Sequence, residues 1–231
     1  GFLPEARRIL AVHDDVIARV SASGPARRLA LGVSEHAMGG RLPAVLATLR
    51  DLMPGLAVSV TLGLSEELLA EWDAGRLDAV VARRVLPAAP ASRRGRVLFA
   101  DDLVWAASPD LVRRPGDPVP LAALARPCRV HEAAVEALES ARLPWTMAFV
   151  SRGLVAVQAA IEAGLGIGCI GRSAVPHAAV VLGPEHGLPP LPTSEIVFLA
   201  EPRDRALHAP LERIADAFRA VPVEPLRRRR A

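Results

Sequence analysis

Lysine and tyrosine are absent from this chain of 231 residues, and each absence removes a class of function. Without Lys no phosphate-binding Gly-x-x-x-x-Gly-Lys loop exists, and all 28 basic residues are Arg. Aromatics make up 3%, with three Trp and five Phe scattered along the chain, so there is no stacking platform for single-stranded nucleic acid. Only two cysteines occur, Cys128 and Cys169, too few and too far apart for a disulfide framework or a cysteine-rich metal site; they read as buried reduced thiols. No apolar stretch approaches the roughly 20 residues of a membrane span, and no basic-then-apolar leader opens the chain, so the expectation is a cytoplasmic protein with no membrane partner.

Catalytic motifs are also missing. The six His lack metal-ligand spacing, and neither His-Glu-x-x-His nor a Gly-x-Ser-x-Gly elbow occurs; no metal, cofactor or catalytic residue is expected. Gly164, Gly166 and Gly168 follow a helix and precede a strand, the reverse of the order in a dinucleotide loop, and so read as packing and turn residues. Asp101-Asp102 and Glu66-Glu67 read as solvated carboxylates.

What is present fits a folded α/β protein. Apolar residues make up 51% and charged residues 23%, and the length suits two lobes. The formal net charge of +3 is exceeded by Arg227 to Arg230 alone, so the body is near neutral and residues 223–231 read as a disordered Arg-rich tail. Leu3, Ala6, Leu10, His13, Ile17 and Val20 recur at spacings of three and four, which predicts a leading helix whose apolar stripe needs a partner, a second copy being favoured. Gly24-Pro25 ends that unit, giving a linker and dimerisation helix over 1–24.

After it the pattern predicts strands at 29–33, 58–62 and 77–82 alternating with helices at 41–52 and 65–74, a βαβαβ order that implies a parallel sheet. Two apolar runs at 97–100 and 103–107 and a Pro-rich stretch at 115–120 follow. A second alternation places strands at 128–130, 147–150 and 167–170 and helices at 132–141 and 153–163. A strand at 196–200 and a helix at 207–220, beyond a loop at 183–192, are free to return to the first lobe.

The residues Leu29-Ala-Leu-Gly-Val-Ser34, Arg41-Leu-Pro-Ala-Val-Leu46, Pro54-Gly55, Leu62-Gly63, Leu68-Leu-Ala-Glu-Trp-Asp-Ala-Gly75-Arg-Leu-Asp78 and Gly164-Leu-Gly-Ile-Gly168 together resemble the sensor region of LysR-type transcriptional regulators, over essentially the whole chain. One departure is Gly171, where many members carry Pro. The resemblance implies a type 2 periplasmic-binding-protein-like fold: two Rossmann-like lobes joined by two crossover strands, preceded by the linker helix. Lobe I would comprise 25–104 and 196–222, and lobe II 105–195. It further implies a small-molecule effector in the interlobe cleft, a homodimer or homotetramer, and DNA contact only through a winged helix-turn-helix absent from this chain. A solute-binding protein of periplasmic type is the alternative, and an enzyme on the same scaffold a third reading.

In open parallel sheets ligands gather at the carboxyl ends of strands. The candidates there are Ser34, Glu35 and His36; Leu64 and Ser65; Arg83; His131 and Glu132; and Ser151 and Arg152. The serines also read as helix caps, His131 with Glu132 as a surface pair, and Arg83 as a solvated charge. An organic acid would use helix N-termini with Arg83 or Arg152, whereas Glu35, His131 and Glu132 suit an amine or polyol; the sequence leaves both open.

Overall fold

The structure, a computed structural model, describes residues 28–38, 42–52, 56–88, 94–114, 116–201 and 207–220. The leading helix, the linker at 21–25 and the Arg-rich tail lie outside the described residues.

Lobe I is built on strands β1 (Arg28–Ser34), β2 (Ala57–Gly63), β3 (Ala79–Val85), β4 (Arg96–Ala100) and β10 (Ser194–Ala200), in the order β2-β1-β3-β10-β4. β1 runs parallel to β2 and β3, while β10 is antiparallel to β3 and β4. Both faces are covered, which is why β1 and β3 are apolar almost throughout. On one face Leu29, Leu31 and Val33 meet Leu211, Ile214 and Phe218 of helix α6 (His208–Ala220). On the other, Leu68 of helix α3 (Ser65–Asp73) packs on Val80, Ala82 and Val197. Two shorter helices, α1 (Glu35–Met38) and α2 (Leu42–Leu52), complete the lobe, and α2 packs beside α6.

Lobe II repeats the plan with β5 (Leu103–Ala107), β6 (Val119–Leu124), β7 (Trp145–Ser151), β8 (Ile167–Gly171) and β9 (Val180–Leu182), ordered β7-β6-β8-β5-β9. Helices α4 (Arg129–Ser140) and α5 (Leu154–Glu162) bury Leu138, Val157 and Ile161 in its core. The chain leaves lobe I at Asp101-Asp102, so Leu103 and Val104 already belong to the second sheet, and it returns before Ser194.

Three sequence expectations are corrected. Residues 128–130 are not a strand: α4 begins at Arg129, and the sheet position is taken by β6, which starts at the end of the Pro-rich stretch. Pro120 is tolerated there because β8 pairs with β6 only from Leu121 onward. β9 was hidden before the Gly/Pro loop, which itself contains only a short 3₁₀ turn at Pro184–His186. β3 runs on to Val85, so Arg83 and Arg84 lie within a strand rather than after it.

Candidate functional site

The ends of β1 and β3 and the first turn of α3 converge through hydroxyls. Ser65 Oγ donates to Ser34 Oγ at 3.0 Å and accepts the Arg83 backbone N–H at 3.0 Å. Ser34 and Ser65 are both buried and tie lobe I together, and Leu64 rather than Ser65 is the N-cap of α3. Leu64, at the α3 N-cap, inserts its side chain into the core of lobe II, as does Val85.

Arg83 is not a solvated charge. Its side chain, like that of Asp101, is 1% exposed, and the two form an ion pair. Nη1 donates to the Asp101 carbonyl at 2.7 Å and to Ser194 Oγ, and Nη2 to the His36 carbonyl at 3.0 Å. Asp101 also accepts the backbone N–H and hydroxyl of Ser173, at 2.8 and 2.7 Å. The expected solvated carboxylate is thus a buried link between the crossover and the turn after β8, and its guanidinium partner is buried with it, Nε being left without a hydrogen-bond partner. Gly171 explains its own departure from the family pattern: a Cβ there would lie 2.0 Å from Arg83 Nη2 and 2.6 Å from Asp101 Oδ2. Gly171→Ala should therefore cost about 1–3 kcal/mol of stability, read from urea unfolding; a neutral result would show that the guanidinium has room to shift.

The remaining candidates line the seam between the lobes. The Glu35 carboxylate crosses it to accept the backbone N–H of Leu154 at the start of α5. His36 is buried; its Nε2 lies 3.6 Å from Cys128 Sγ, and its Nδ1 has no hydrogen-bond partner. Burial, and secondarily the Arg83 charge, push the His36 pKa down to about 3, so the ring is neutral. His131 sits in the first turn of α4, where its Nδ1–H donates to the Leu124 carbonyl at 2.7 Å. Glu132 pairs with Arg129 at 2.7 Å, not with His131. Ser151 Oγ accepts the Gly153 N–H at 3.2 Å, and Arg152, 73% exposed, bridges to Glu67 across the seam at 2.8 Å.

Two spaces flank the N-terminus of α4. The inner one, about 10 Å³, the room of one water molecule, is enclosed by His36, Cys128, His131, Leu154 and Cys169 among others. The outer one, about 520 Å³, has an apolar floor that includes Leu69, Val85 and Val197, with Glu66 and Arg129 from opposite lobes at its edge. That is an ordinary volume for a small-molecule pocket. Burial holds the Glu66 carboxyl above its usual range, offset in part by its own backbone N–H and that of Arg129. Burial likewise raises the Cys128 thiol to about 11 and drives the Cys169 thiol up, so both remain protonated; they are free and buried, as expected.

The structure thus brings Glu35, His36, His131 and Arg152 together at one seam, places the Ser34 and Ser65 hydroxyls inside lobe I, and buries the Arg83 side chain while Arg83 itself lines the outer space. Cys128, Glu66 and Glu67 join the seam without having been candidates. The adjacent carboxylate pairs were the only signal for the glutamates, and Cys128, the N-cap of α4, was hidden because Cys128 and Val130 read as a short strand. Among the described residues no His/Cys/Asp/Glu cluster could hold a metal, and no helix is long and apolar enough to cross a membrane.

Comparison with known proteins agrees with this architecture. The chain is 30% identical over 201 residues to the HTH-type transcriptional regulator PecT of Dickeya dadantii (strain 3937), covering 87% of this chain and 62% of that protein. It is 28% identical over 219 residues to the HTH-type transcriptional regulator DgdR of Burkholderia cepacia, covering 95% and 72%. In fold it is similar to the bromide-bound regulatory domain of HypT from Salmonella typhimurium, with a TM-score of 0.64 at 15% identity, covering 87% of this chain and 98% of that one. The reduced OxyR regulatory domain from Pseudomonas aeruginosa gives 0.60 at 19%, covering 86% and 100%. The family description "LysR substrate binding domain" matches residues 22–222, and the chain therefore belongs to the LysR substrate-binding domain family.

Proposed function

We propose that this chain is the effector-sensing and self-associating part of a cytoplasmic LysR-type transcriptional regulator, without catalytic activity. A small molecule entering the interlobe seam changes lobe closure and so the arrangement of paired subunits, which a DNA-binding winged helix-turn-helix outside this chain reports to transcription. The observation that carries the reading is a ligand-sized space walled mainly by lobe I with Arg129 of lobe II at its rim; separately, the lobes are held together by side chains that can let go, Glu35 on Leu154 N–H and Glu67 on Arg152. Self-association is supported by the edge strands β2 and β7, which leave Leu62, Met147 and Val150 exposed. The curated relatives are regulators, which disfavours the solute-binding alternative.

The test is to recover DNA fragments with the full-length protein and screen small metabolites for one that both shifts that complex and raises the Tm of this chain. A full-length protein that selects no DNA sinks the reading. With the effector in hand, Arg152→Ala should cost at most about 1 kcal/mol of stability, because its ion pair is exposed. It should nonetheless weaken effector binding in a titration; unchanged affinity removes Arg152 from the site.

A further inference from the structure

The two crossings between the lobes border a third space, which shares no lining residue with the outer one. The outgoing crossing enters lobe II through Leu103, Val104 and Trp105, and the returning one leaves through Leu188 to Leu191. Between them lies a cavity of about 250 Å³. That is below the range usual for drug-sized ligands and fits a small metabolite. Trp105 is buried, and its Nε1–H donates to the Pro189 carbonyl at 2.8 Å. The indole is thus a fixed apolar wall whose polar edge is already satisfied.

Two charges of opposite sign, Arg172 and Glu185, line this cavity without pairing. Arg172 is half-buried. Its backbone N–H donates to the Asp102 carbonyl at 2.8 Å, but among the described residues its guanidinium makes no hydrogen bond or ion pair. Arg83, Arg129 and Arg152, by contrast, each hold a carboxylate. The Glu185 side chain folds over Gly183, where a Cβ would collide with its Oε2. His186 Nδ1 lies 3.1 Å from the Glu185 carboxylate, but it already accepts the Gly183 N–H at 3.2 Å and so has no hydrogen to give. A guanidinium and a carboxylate held apart in one pocket suit a molecule that carries both counter-charges. An α-amino acid does so in one small body: carboxylate for Arg172, ammonium for Glu185, side chain for Trp105 and Leu188.

We propose that this cavity binds a free α-amino acid with a small apolar side chain. The site is distinct from the outer space and does not rest on the effector reading given to that space. Its occupant touches both crossings at once. Arg172 holds Asp102, and the next residue, Ser173, holds Asp101, so a bound amino acid braces the lobes in the arrangement that binds it.

The test titrates the 231-residue chain with L-alanine, L-valine and L-leucine. Isocaproate and isoamylamine, which are leucine without its ammonium or its carboxylate, serve as comparison probes at equal ionic strength. At least one amino acid raises Tm by about 2–4 °C at saturation, and the two truncated probes raise it by less than about 1 °C. The Trp105 indole N–H resonance, one of three in the chain, moves with the amino acid. Arg172→Gln and Glu185→Gln each leave the unliganded Tm within about 1 °C and weaken binding about tenfold or more. Should one of the two variants not fold, the other carries the comparison. No response to any of the three amino acids, an equal response to isocaproate, or binding that survives these substitutions overturns the proposal.

Discussion

Arg83→Met, made while Asp101 remains, should lower the unfolding free energy by about 3–5 kcal/mol, the largest loss expected from a single polar substitution here. The magnitude follows from burial: with both side chains 1% exposed, removing the guanidinium strands a carboxylate where water cannot reach it. It also deprives the Asp101 carbonyl, Ser194 Oγ and the His36 carbonyl of a donor at once. The pair itself need not be strongly stabilising, since desolvation offsets much of the Coulomb gain. The double variant Arg83→Met with Asp101→Leu should therefore recover most of the loss. Urea unfolding of the four proteins closes the cycle. A single variant within about 1 kcal/mol of wild type would mean that the pair is wet in solution and that Arg83 returns to the list of cleft residues.

Acidification should destabilise the protein through His36. In the unfolded chain the imidazole takes up a proton near its ordinary pKa of 6.5, whereas in the fold it does so only at about 3. Between those values the unfolded state binds more protons. Stability is thus unaffected by this group above pH 6.5 and falls as pH drops through the window. The limiting slope is about 1.4 kcal/mol per pH unit, or about 2 kcal/mol between pH 6.5 and 4.5. The Cys128 thiol beside the ring stays neutral throughout, while the raised Glu66 carboxyl acts in the opposite direction, so the His36 contribution is read against a variant that lacks the ring. His36→Leu removes the titration and the unpartnered Nδ1 together, so its stability curve should be flatter by that slope. Parallel curves for the two proteins would show that His36 titrates normally and that the seam is open to water.

The alternating strand and helix pattern made both lobes legible, because continuous apolar strands such as β1 and amphipathic helices such as α6 carry their burial in their own residues. Arg83 shows where that legibility ends. A charged residue reads locally as the end of a strand, and only Asp101, 18 positions away and brought back by the fold, makes its burial possible. Pro120 hid β6 for a related reason: a proline argues against an inner strand unless one knows that its second neighbour starts pairing a residue later. The seam was half legible. Strand-end reasoning found Glu35, His36, His131 and Arg152, but nothing local to Glu35 indicates that its partner is Leu154, 119 residues away. Ser151 came closest to the capping role foreseen for it, bonding Gly153 N–H just before α5.

The position of β10 bears on how the chain is made. It sits between β3 and β4, and with α6 it is the last described part of the chain to leave the ribosome. Lobe I, begun first, must therefore wait with the flank of β3 unpaired until residues past 200 have emerged, while lobe II, contiguous from Leu103 to Leu182, can close in the interval. The lobe that starts synthesis is the one that finishes folding. Stop codons or proteolytic cuts before residue 194 should consequently leave a folded lobe II tethered to a sticky, incomplete sheet rather than a smaller version of the sensor.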